Sequence, residues 1–359
     1  RGLGDVYKRQ FQNTLPFSEP RLDCYQNCVA TLLRAQGENI VYLGACWPWE
    51  FVVHAKSDTA RSLNDYVLRN TKCVKADVLK RFYGIYLRRS HAKGEALLRE
   101  LHEGTRMKTP LIVNVDEFYM PYHFQHVYRK QHGVHTILLF HIDSNKDLCQ
   151  CISTIPMYKG DLSLEALKQG IEHNNSGWAY EVIERYEPHQ ICIPEPEAVS
   201  HTFAQILKQV YKGMVTPYHF NKSGRNILHT RQLNLFLKEL RNIESKSVAQ
   251  QRTEWFCQGD WGWNVDRKSQ WLMNYLSYEN KRIGLRHYER IMELIPEIDR
   301  TWRLAFRQLF KDYQLKGKGD CLYVVCNRLS WVEKTELDII SMLLADIKEG
   351  NVLNNGKRG

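Results

Sequence analysis

The sequence contains no long hydrophobic run, no cysteine pair with CxxC spacing and no block of consecutive lysines and arginines. The first absence predicts that no segment spans a membrane, because a spanning helix needs roughly 20 mostly apolar residues. The second, in a chain with ten cysteines, argues against a disulfide framework and favours reduced thiols in the cytoplasm. The third indicates that most of the basic residues lie on solvated surfaces.

The first ten residues, 1–10, are expected to be foreign to the protein, since Asp5–Gln10 is the translation of a transposon end used to prepare sequencing libraries. The net charge of the whole chain is +10 at pH 7. Those ten residues carry three basic side chains against one acidic side chain, so the remainder carries about +8. This surplus favours an acidic partner, such as nucleic acid or an acidic carrier protein.

The remaining chain divides into two predicted domains at the proline-flanked segment Pro194–Pro196. Residues 11–196 mix helical and strand-like patterns, with the strongest strand signal at Leu111–Val115. Residues 197–350 show mainly helical periodicity, and residues 351–359 are expected to form a frayed tail. The predicted fold class is therefore α+β, with a mostly α-helical domain following.

Within the first domain, apolar runs and turn residues predict a strand followed by a hairpin. These strands are Leu111–Val115, His135–Phe140 and Leu148–Ile152. Helices are expected over Ser62–Asn70, over Lys93–Glu103 and after a cap at Ser163 or Asp161. The Trp- and Gly-rich segment Ile40–Lys56 is expected to wind between elements.

A further helix is predicted to begin at Cys24. Asp23 is a suitable N-cap, Gln26 three residues later completes a capping box, and Gly37 is a natural stop. A helix N-terminus favours a thiolate, and its backbone N–H groups can hold an oxyanion. Cys24 is therefore the candidate nucleophile. Cys28 is the rival thiol, but it falls on the apolar face of the helix and is predicted to lie in the core.

His135, at the start of a predicted strand, is the candidate base for Cys24. The order of a cysteine, then a distant histidine on a strand, is that of papain-like proteins. A single cysteine or a single histidine is more often structural, so the hypothesis depends on the pair. Gln12, upstream of Cys24, is a candidate amide for the oxyanion hole.

Four histidines around the predicted loop form two pairs, and the members of each pair are three residues apart. Zinc accepts imidazole ligands. The four histidines are His123, His126, His132 and His135. Because they straddle an irregular loop and have no CxxC partner, solvent-exposed loop histidines are expected. We therefore predict no metal site.

Four tryptophans of the second half lie among basic residues. They are Trp255, Trp261, Trp263 and Trp271. Such a surface can stack on nucleobases, but their helical spacing favours a packed helical domain, or one wall of a substrate cleft.

Four blocks, in order across about residues 20–170, resemble the butirosin biosynthesis protein H N-terminal-domain family. They are Asp23–Leu33, Val115–Tyr122, His132–His135 and Tyr158–Leu167. The resemblance implies a papain-like fold and a bacterial enzyme of specialised metabolism. The named member of the family moves an acyl group from a carrier-protein thioester onto an amine.

By this resemblance Cys24 is the acylated nucleophile and His135 the base, with Tyr119 and Tyr122 as substrate-binding candidates. The implied partners are an acyl or peptidyl carrier protein and a small amine, without nucleic acid or membrane. The phosphopantetheine arm of the carrier brings the thioester, and no other cofactor is expected.

One position departs from the family pattern, which implies a carboxylate shortly after the second strand of the hairpin. Ser153 stands near that place, and a serine can orient an imidazole without stabilising its positive charge as a carboxylate does. Asp116 and Asp143 are the alternative third members, although Asp143 fits the hairpin turn and Asp116 the Tyr-rich loop. A cysteine peptidase or amidase, and a non-catalytic papain-like binding protein, therefore stay open beside acyl transfer.

Overall fold

The molecule combines helices and antiparallel sheets in an α+β architecture. The computed structural model describes residues 13–19, 22–61, 65–70, 76–90, 92, 94–106, 110–174, 180–185, 196–221, 224–243, 261–314 and 321–355. The chain divides into two compact units, the first made of Arg1–Tyr42 and Val74–Cys192, the second of Leu43–Cys73 and Ile193–Gly359.

The elements are numbered in chain order. The strands are β1 (Glu50–Ala55), β2 (Tyr66–Asn70), β3 (Tyr86–Ser90), β4 (Leu111–Asp116), β5 (Val134–Asp143), β6 (Leu148–Thr154), β7 (Met157–Ser163), β8 (Tyr180–Arg185) and β9 (Asn226–His229). The helices are α1 (Cys24–Ala35), α2 (Ala76–Tyr83), α3 (Gly94–Arg106), α4 (Leu164–Glu172), α5 (Pro196–Val215), α6 (Thr230–Ile243), α7 (Trp261–Ile283), α8 (Tyr288–Gln314) and α9 (Cys321–Asn355). Two 3-10 turns cover Ile40–Ala45 and Glu117–Tyr119.

The first unit is built on a six-stranded antiparallel sheet in the order β3-β8-β4-β5-β6-β7. Alternate residues of β4, namely Leu111, Val113 and Val115, lie in one buried cluster with Leu101 of α3 and Leu167 of α4. Each such side chain contributes about 1.5–3 kcal/mol when fully buried. The predicted strands and hairpin are confirmed, and they place β4, β5 and β6 side by side.

Helix α1 begins and ends where the sequence predicts. The Asp23 side chain accepts a hydrogen bond from the Gln26 backbone N–H at 2.7 Å, and the Gln26 side chain accepts one from the Asp23 N–H at 3.0 Å. The predicted capping box is therefore confirmed. The helix ends at Ala35, and Gly37 adopts a left-handed φ of 81° that strains residues with a side chain. Helix α1 contacts β5 and β6, which positions Cys24 near the sheet.

Two further helix predictions for the first unit also agree with the structure. The predicted Lys93–Glu103 helix corresponds to α3. Of the two caps considered for α4, Ser163 is the N-cap, because its side chain accepts a hydrogen bond from the Ala166 N–H.

The prediction of a helix over Ser62–Asn70 is wrong, because Tyr66–Asn70 forms β2. The segment Ile40–Lys56 also contains a strand, β1, which pairs antiparallel with both β2 and β9. These pairings join residues far apart in the chain, so tertiary context overrides local propensity. Residues 43–73 consequently belong to the second unit, although the sequence places them in the first domain.

The second unit combines this three-stranded sheet with helices α5 to α9. The ring of Phe51 on β1 lies 4.9 Å from that of Trp302 on α8, so the recruited segment shares the helical core. Helix α5 starts at Pro196, the predicted domain boundary. Helix α9 continues to Asn355, into the stretch 351–359 for which the sequence predicts a frayed tail. Among the described residues, no helix combines the length and apolar character that crossing a membrane requires.

Candidate functional site

The candidate site lies where three neighbouring strands of the first unit reach the same end of the sheet. His135 is opposite Val115 in the β4–β5 register and is almost completely buried. Its Nε2 lies 2.9 Å from the Ser153 Oγ near the end of β6. Ser153 thus takes the orienting position that the sequence suggested for it. For Nδ1 to act as a base, Nε2 must carry the proton and donate it to Ser153.

Cys24 lies at the first turn of α1, against the same strand ends. The Thr154 hydroxyl donates a hydrogen bond to the Cys24 carbonyl at 3.4 Å, and Thr154 directly follows Ser153 in β6. The Cys24 side chain is partly exposed. This hydrogen bond places the first turn of α1 at the end of β6, on the face of the sheet to which Thr154 points, and leaves the thiol accessible to a reagent. Ser153 and His135 point to the opposite face, because consecutive residues of a strand alternate.

Cys28 occupies a different environment one helical turn later. Its side chain is fully buried, and its thiol donates a hydrogen bond to the Thr136 carbonyl oxygen at 3.4 Å. Thr136 follows His135 directly, so this contact also docks α1 on β5. The prediction that Cys28 lies in the core is confirmed.

Burial controls the protonation of His135. It lowers the pKa of the imidazole to about 3, with a smaller contribution from the neighbouring His123. The free energy of burying an unpaired positive charge opposes protonation. The imidazole is accordingly neutral near pH 7, with a lone pair to accept a proton.

Asp116 does not serve as the third member. Its carboxylate accepts hydrogen bonds from the backbone N–H groups of Phe118 and Gly133, both at 3.1 Å, and contacts His132 Nδ1 at 2.7 Å. All of these partners lie in the loop after β4 or where that loop returns to the sheet. Asp116 therefore fixes the loop, the other role considered for it, and the catalytic alternative is not supported.

Two candidates remain: Asp143, the other alternative third member, and Gln12, the candidate amide for the oxyanion hole. Asp143 pairs with Lys146 at 3.3 Å in the hairpin turn, the structural role predicted for it. Gln12 lies outside the described residues.

The two tyrosine candidates separate in the structure. Tyr122 stacks on Tyr158 with ring centroids 4.4 Å apart, and its hydroxyl is buried. Burial raises the pKa of the Tyr122 phenol well above its usual value, and the nearby Cys151 adds to the shift. Tyr119 instead packs against His173, at 4.8 Å. Tyr122 is therefore next to the site, whereas Tyr119 belongs to the loop.

Two further residues lie beside His135: Glu117, which no sequence signal singled out, and His123, which the sequence assigned to the exposed loop. The possible ligand atoms of Glu117, His123 and His135 all lie within 4.8 Å of one another. His123 Nε2 is 3.5 Å from Glu117 Oε2, and the rings of His123 and His135 have centroids 5.2 Å apart. A Cβ at Gly133 would overlap the Glu117 carboxylate, so glycine there leaves room for it. Glu117 lies within Val115–Tyr122, one of the blocks that resemble the family. Its separation from His123 in the sequence matches no usual spacing of metal ligands.

Burial also shifts the protonation equilibria of these two residues. It raises the pKa of Glu117, and the nearby Asp116 raises it further. It lowers the pKa of His123, and His126 lowers it further. Both shifts favour the neutral forms.

The other two histidines of the predicted group stack on loop aromatics. The ring of His126 is stacked on that of Phe124, and that of His132 on Phe118, with centroids 5.5 and 4.3 Å apart. The expectation of loop histidines holds for this pair. His123 is different, because only 6% of its side chain is exposed.

The aromatic cluster of the second half is described only in part. Trp271 is buried in α7, as the packed-helix interpretation predicts, while Trp255 lies outside the described residues. A scan against models of protein families and a search of curated proteins both find no match for the chain. The functional hypothesis therefore depends on the geometry of the first unit and on the sequence blocks it contains.

Proposed function

We propose that the first unit is a papain-like cysteine acyltransferase, with Cys24 as nucleophile and His135 as base. The observation that carries the proposal is the buried His135–Ser153 hydrogen bond, at the strand ends that the first turn of α1 also reaches. The reaction requires the Cys24 thiol and the His135 imidazole, which lie on opposite faces of the sheet, to meet around these strand ends. The chain order of cysteine, histidine and orienting residue supports it. So does the resemblance of four sequence blocks to the butirosin biosynthesis protein H N-terminal-domain family.

In the proposed reaction His135 takes the proton of the Cys24 thiol, and the sulfur attacks the carbonyl carbon of a pantetheine thioester. Backbone N–H groups at the N-terminus of α1 hold the oxyanion. The carbon–sulfur bond to pantetheine breaks, and His135 returns the proton to the departing thiol. An amine then attacks the Cys24 thioester while His135 accepts its proton, which gives an amide and regenerates the thiol.

Ser153 affects the protonation states of Cys24 and His135 between turnovers. A serine hydroxyl carries no negative charge, so it does not stabilise an imidazolium as a carboxylate does. With the pKa of His135 lowered to about 3, the resting pair is a neutral thiol and a neutral imidazole. We therefore expect general-base catalysis at the moment of attack rather than a standing thiolate–imidazolium pair.

The same feature favours the second candidate function, a non-catalytic binding protein. Loss of the carboxylate that the family pattern implies at the Ser153 position is one way in which such a domain becomes inactive. The two candidates differ in one measurable property, which is whether Cys24 becomes acylated.

The donor proposed for the reaction is an acyl or peptidyl carrier protein. Without its first ten residues, which carry three basic side chains against one acidic, the chain has a net charge of about +8. This charge favours association with an acidic protein and makes its rate fall with increasing salt.

Intact-protein mass spectrometry after incubation with a panel of acyl-pantetheine thioesters tests the proposal. The expected result is a mass gain of one acyl group that is lost in Cys24→Ala and kept in Cys28→Ala. Because Cys28 is buried, the thermal unfolding of both variants is measured alongside. A gain that survives Cys24→Ala, or no gain with any thioester, contradicts the acyltransferase proposal, and the second outcome favours the binding protein.

A further inference from the structure

Glu117, His123 and His135 bring one carboxylate and two imidazoles together beside the candidate site. They come from three different positions: the 3-10 turn after β4, the loop that follows it, and the start of β5. Their possible ligand atoms lie within 4.8 Å of one another. The proposed acyl transfer uses only His135, so Glu117 and His123 have no role in it.

The spacing of these groups fits a tetrahedral metal ion. Zinc bonds to nitrogen and oxygen ligands are about 2.0–2.2 Å long, so two ligand atoms on a tetrahedral ion lie about 3.4 Å apart. His123 Nε2 and Glu117 Oε2 are already 3.5 Å apart. The third ligand atom, from His135, must approach them by about an ångström, which small side-chain rotations supply.

His123 is buried as well as close to Glu117. Its side chain is 6% exposed, and Nε2 is the ring nitrogen that lies 3.5 Å from Glu117 Oε2. This nitrogen is therefore close to the other candidate ligands rather than to bulk solvent.

The surroundings of the ligands suit a metal as well. Ser153, bonded to His135 Nε2, corresponds to the outer partner that usually orients a metal-bound histidine and leaves the other nitrogen to the ion.

We propose that Glu117, His123 and His135 form a binding site for a divalent transition metal of the zinc type. Two imidazoles and a carboxylate are a donor set used by zinc and by ferrous iron. Magnesium and calcium prefer oxygen ligands and are disfavoured here. Three protein ligands leave a fourth position open to water or to a substrate atom.

The consequence for catalysis rests on the proposed function. A metal on His135 takes the lone pair that would accept the Cys24 proton. Zinc is therefore expected to inhibit acylation of Cys24 reversibly, and a chelator to restore it. Metal binding itself requires neither Cys24 nor a thioester, so it can be tested whether or not the protein is an acyltransferase.

The test is calorimetric titration of the metal-free full chain with Zn²⁺, repeated with Co²⁺ followed by visible absorption. The expected result is one tightly bound ion per chain, with an affinity that falls at least about 100-fold in His123→Gln and in Glu117→Gln. That size is expected because removing even an outer-shell partner typically costs 10–100-fold. Cys24→Ala is expected to bind zinc as the unaltered protein does.

The matched control is His126→Gln, which changes a histidine of the same loop that is stacked on Phe124 outside the cluster. It is expected to keep the affinity of the unaltered protein. Thermal unfolding without metal shows which variants are folded, and Ser153→Ala offers a second, milder change with an expected loss of about 10-fold. Absence of a bound ion, or equal binding by His123→Gln and the unaltered chain, overturns the proposal.

Discussion

At the scale of residues, Ser153 brings no negative charge next to His135, and this affects the protonation of the imidazole. Lowering the pKa of His135 from 6.5 to about 3 corresponds to an imidazolium disfavoured by about 5 kcal/mol. His123 adds to this effect and Ser153 contributes no opposing charge. The resemblance implies a carboxylate near this position, but the burial of His135, which disfavours its protonation, depends on packing between distant segments.

Ser153→Asp restores that charge and gives the first prediction. An opposite charge within hydrogen-bond distance raises the pKa of His135 by about 1–3 units, so iodoacetamide should alkylate Cys24 at least about tenfold faster at pH 7. The measurement is the rate of labelling at Cys24, located by peptide mass spectrometry. Ser144→Asp, which puts the same charge in the exposed hairpin turn, is the control, and equal rates in both variants would refute the explanation.

A second residue-scale prediction concerns Glu336, a fully buried carboxyl in α9 that accepts a hydrogen bond from the Thr230 hydroxyl at 2.9 Å. Burial raises its pKa well above the usual value, and Glu333 raises it further. The folded protein therefore keeps a proton that the unfolded chain releases as pH rises above about 4.5, so this residue makes stability fall with rising pH.

Glu336→Gln should remove that dependence. At pH 8 the variant should be more stable than the unaltered protein by at least about 1.4 kcal/mol, the equivalent of one pKa unit. The gain should shrink toward pH 4. Urea denaturation across this range measures it, with the exposed Glu297→Gln as control. A variant that is less stable at pH 8 would contradict the assignment of a neutral carboxyl.

At the scale of elements, the sequence predicts most where short-range chemistry decides the structure. The capping box of α1 and the apolar run of β4 are local signals, and both elements form as expected. β1 and β2 carry no such signal, because they are strands by virtue of pairing with each other and with β9. The loop after β4 is an intermediate case. The sequence suggests that Asp116 fixes this loop, whereas Glu117 and His123 come together only in the folded protein.

The cap of α1 gives the element-scale prediction. Asp23→Ala removes the acceptor for the Gln26 N–H and should lower the free energy of unfolding by about 1 kcal/mol, within a usual range of 0.5–2. Asp23→Ser keeps an acceptor at the cap and should lose less. Urea denaturation of the two variants checks the order, and an unchanged stability in Asp23→Ala would show that the cap does not stabilise the helix.

At the scale of the whole molecule, the boundary between the units is not a single point in the chain. The second unit takes β1 and β2 from residues 43–73, and β1 is the central strand of its sheet. Composition and proline spacing locate the Pro194–Pro196 boundary, but they carry no information about an earlier segment that returns to a later one. The predicted division at residue 196 therefore separates β1 from its partner β9.

This division predicts how fragments behave. A fragment of residues 193–359 lacks the central strand and the Phe51 ring that packs against Trp302. It should show no cooperative thermal unfolding by circular dichroism, whereas the full chain should. Adding a peptide of residues 43–73 in trans should restore part of the transition, and a cooperative transition in the fragment alone would contradict the division.

The proposed catalytic pairing of Cys24 with His135 is tested by the rate of Cys24 acylation in a single turnover. The measurement compares His135→Gln with His132→Gln, a control that changes the loop histidine held by Asp116. We predict a loss of at least about 100-fold for His135→Gln, the usual size of a general-base contribution, and near-normal acylation for His132→Gln. Equal rates in both variants and the unaltered protein would contradict the pairing.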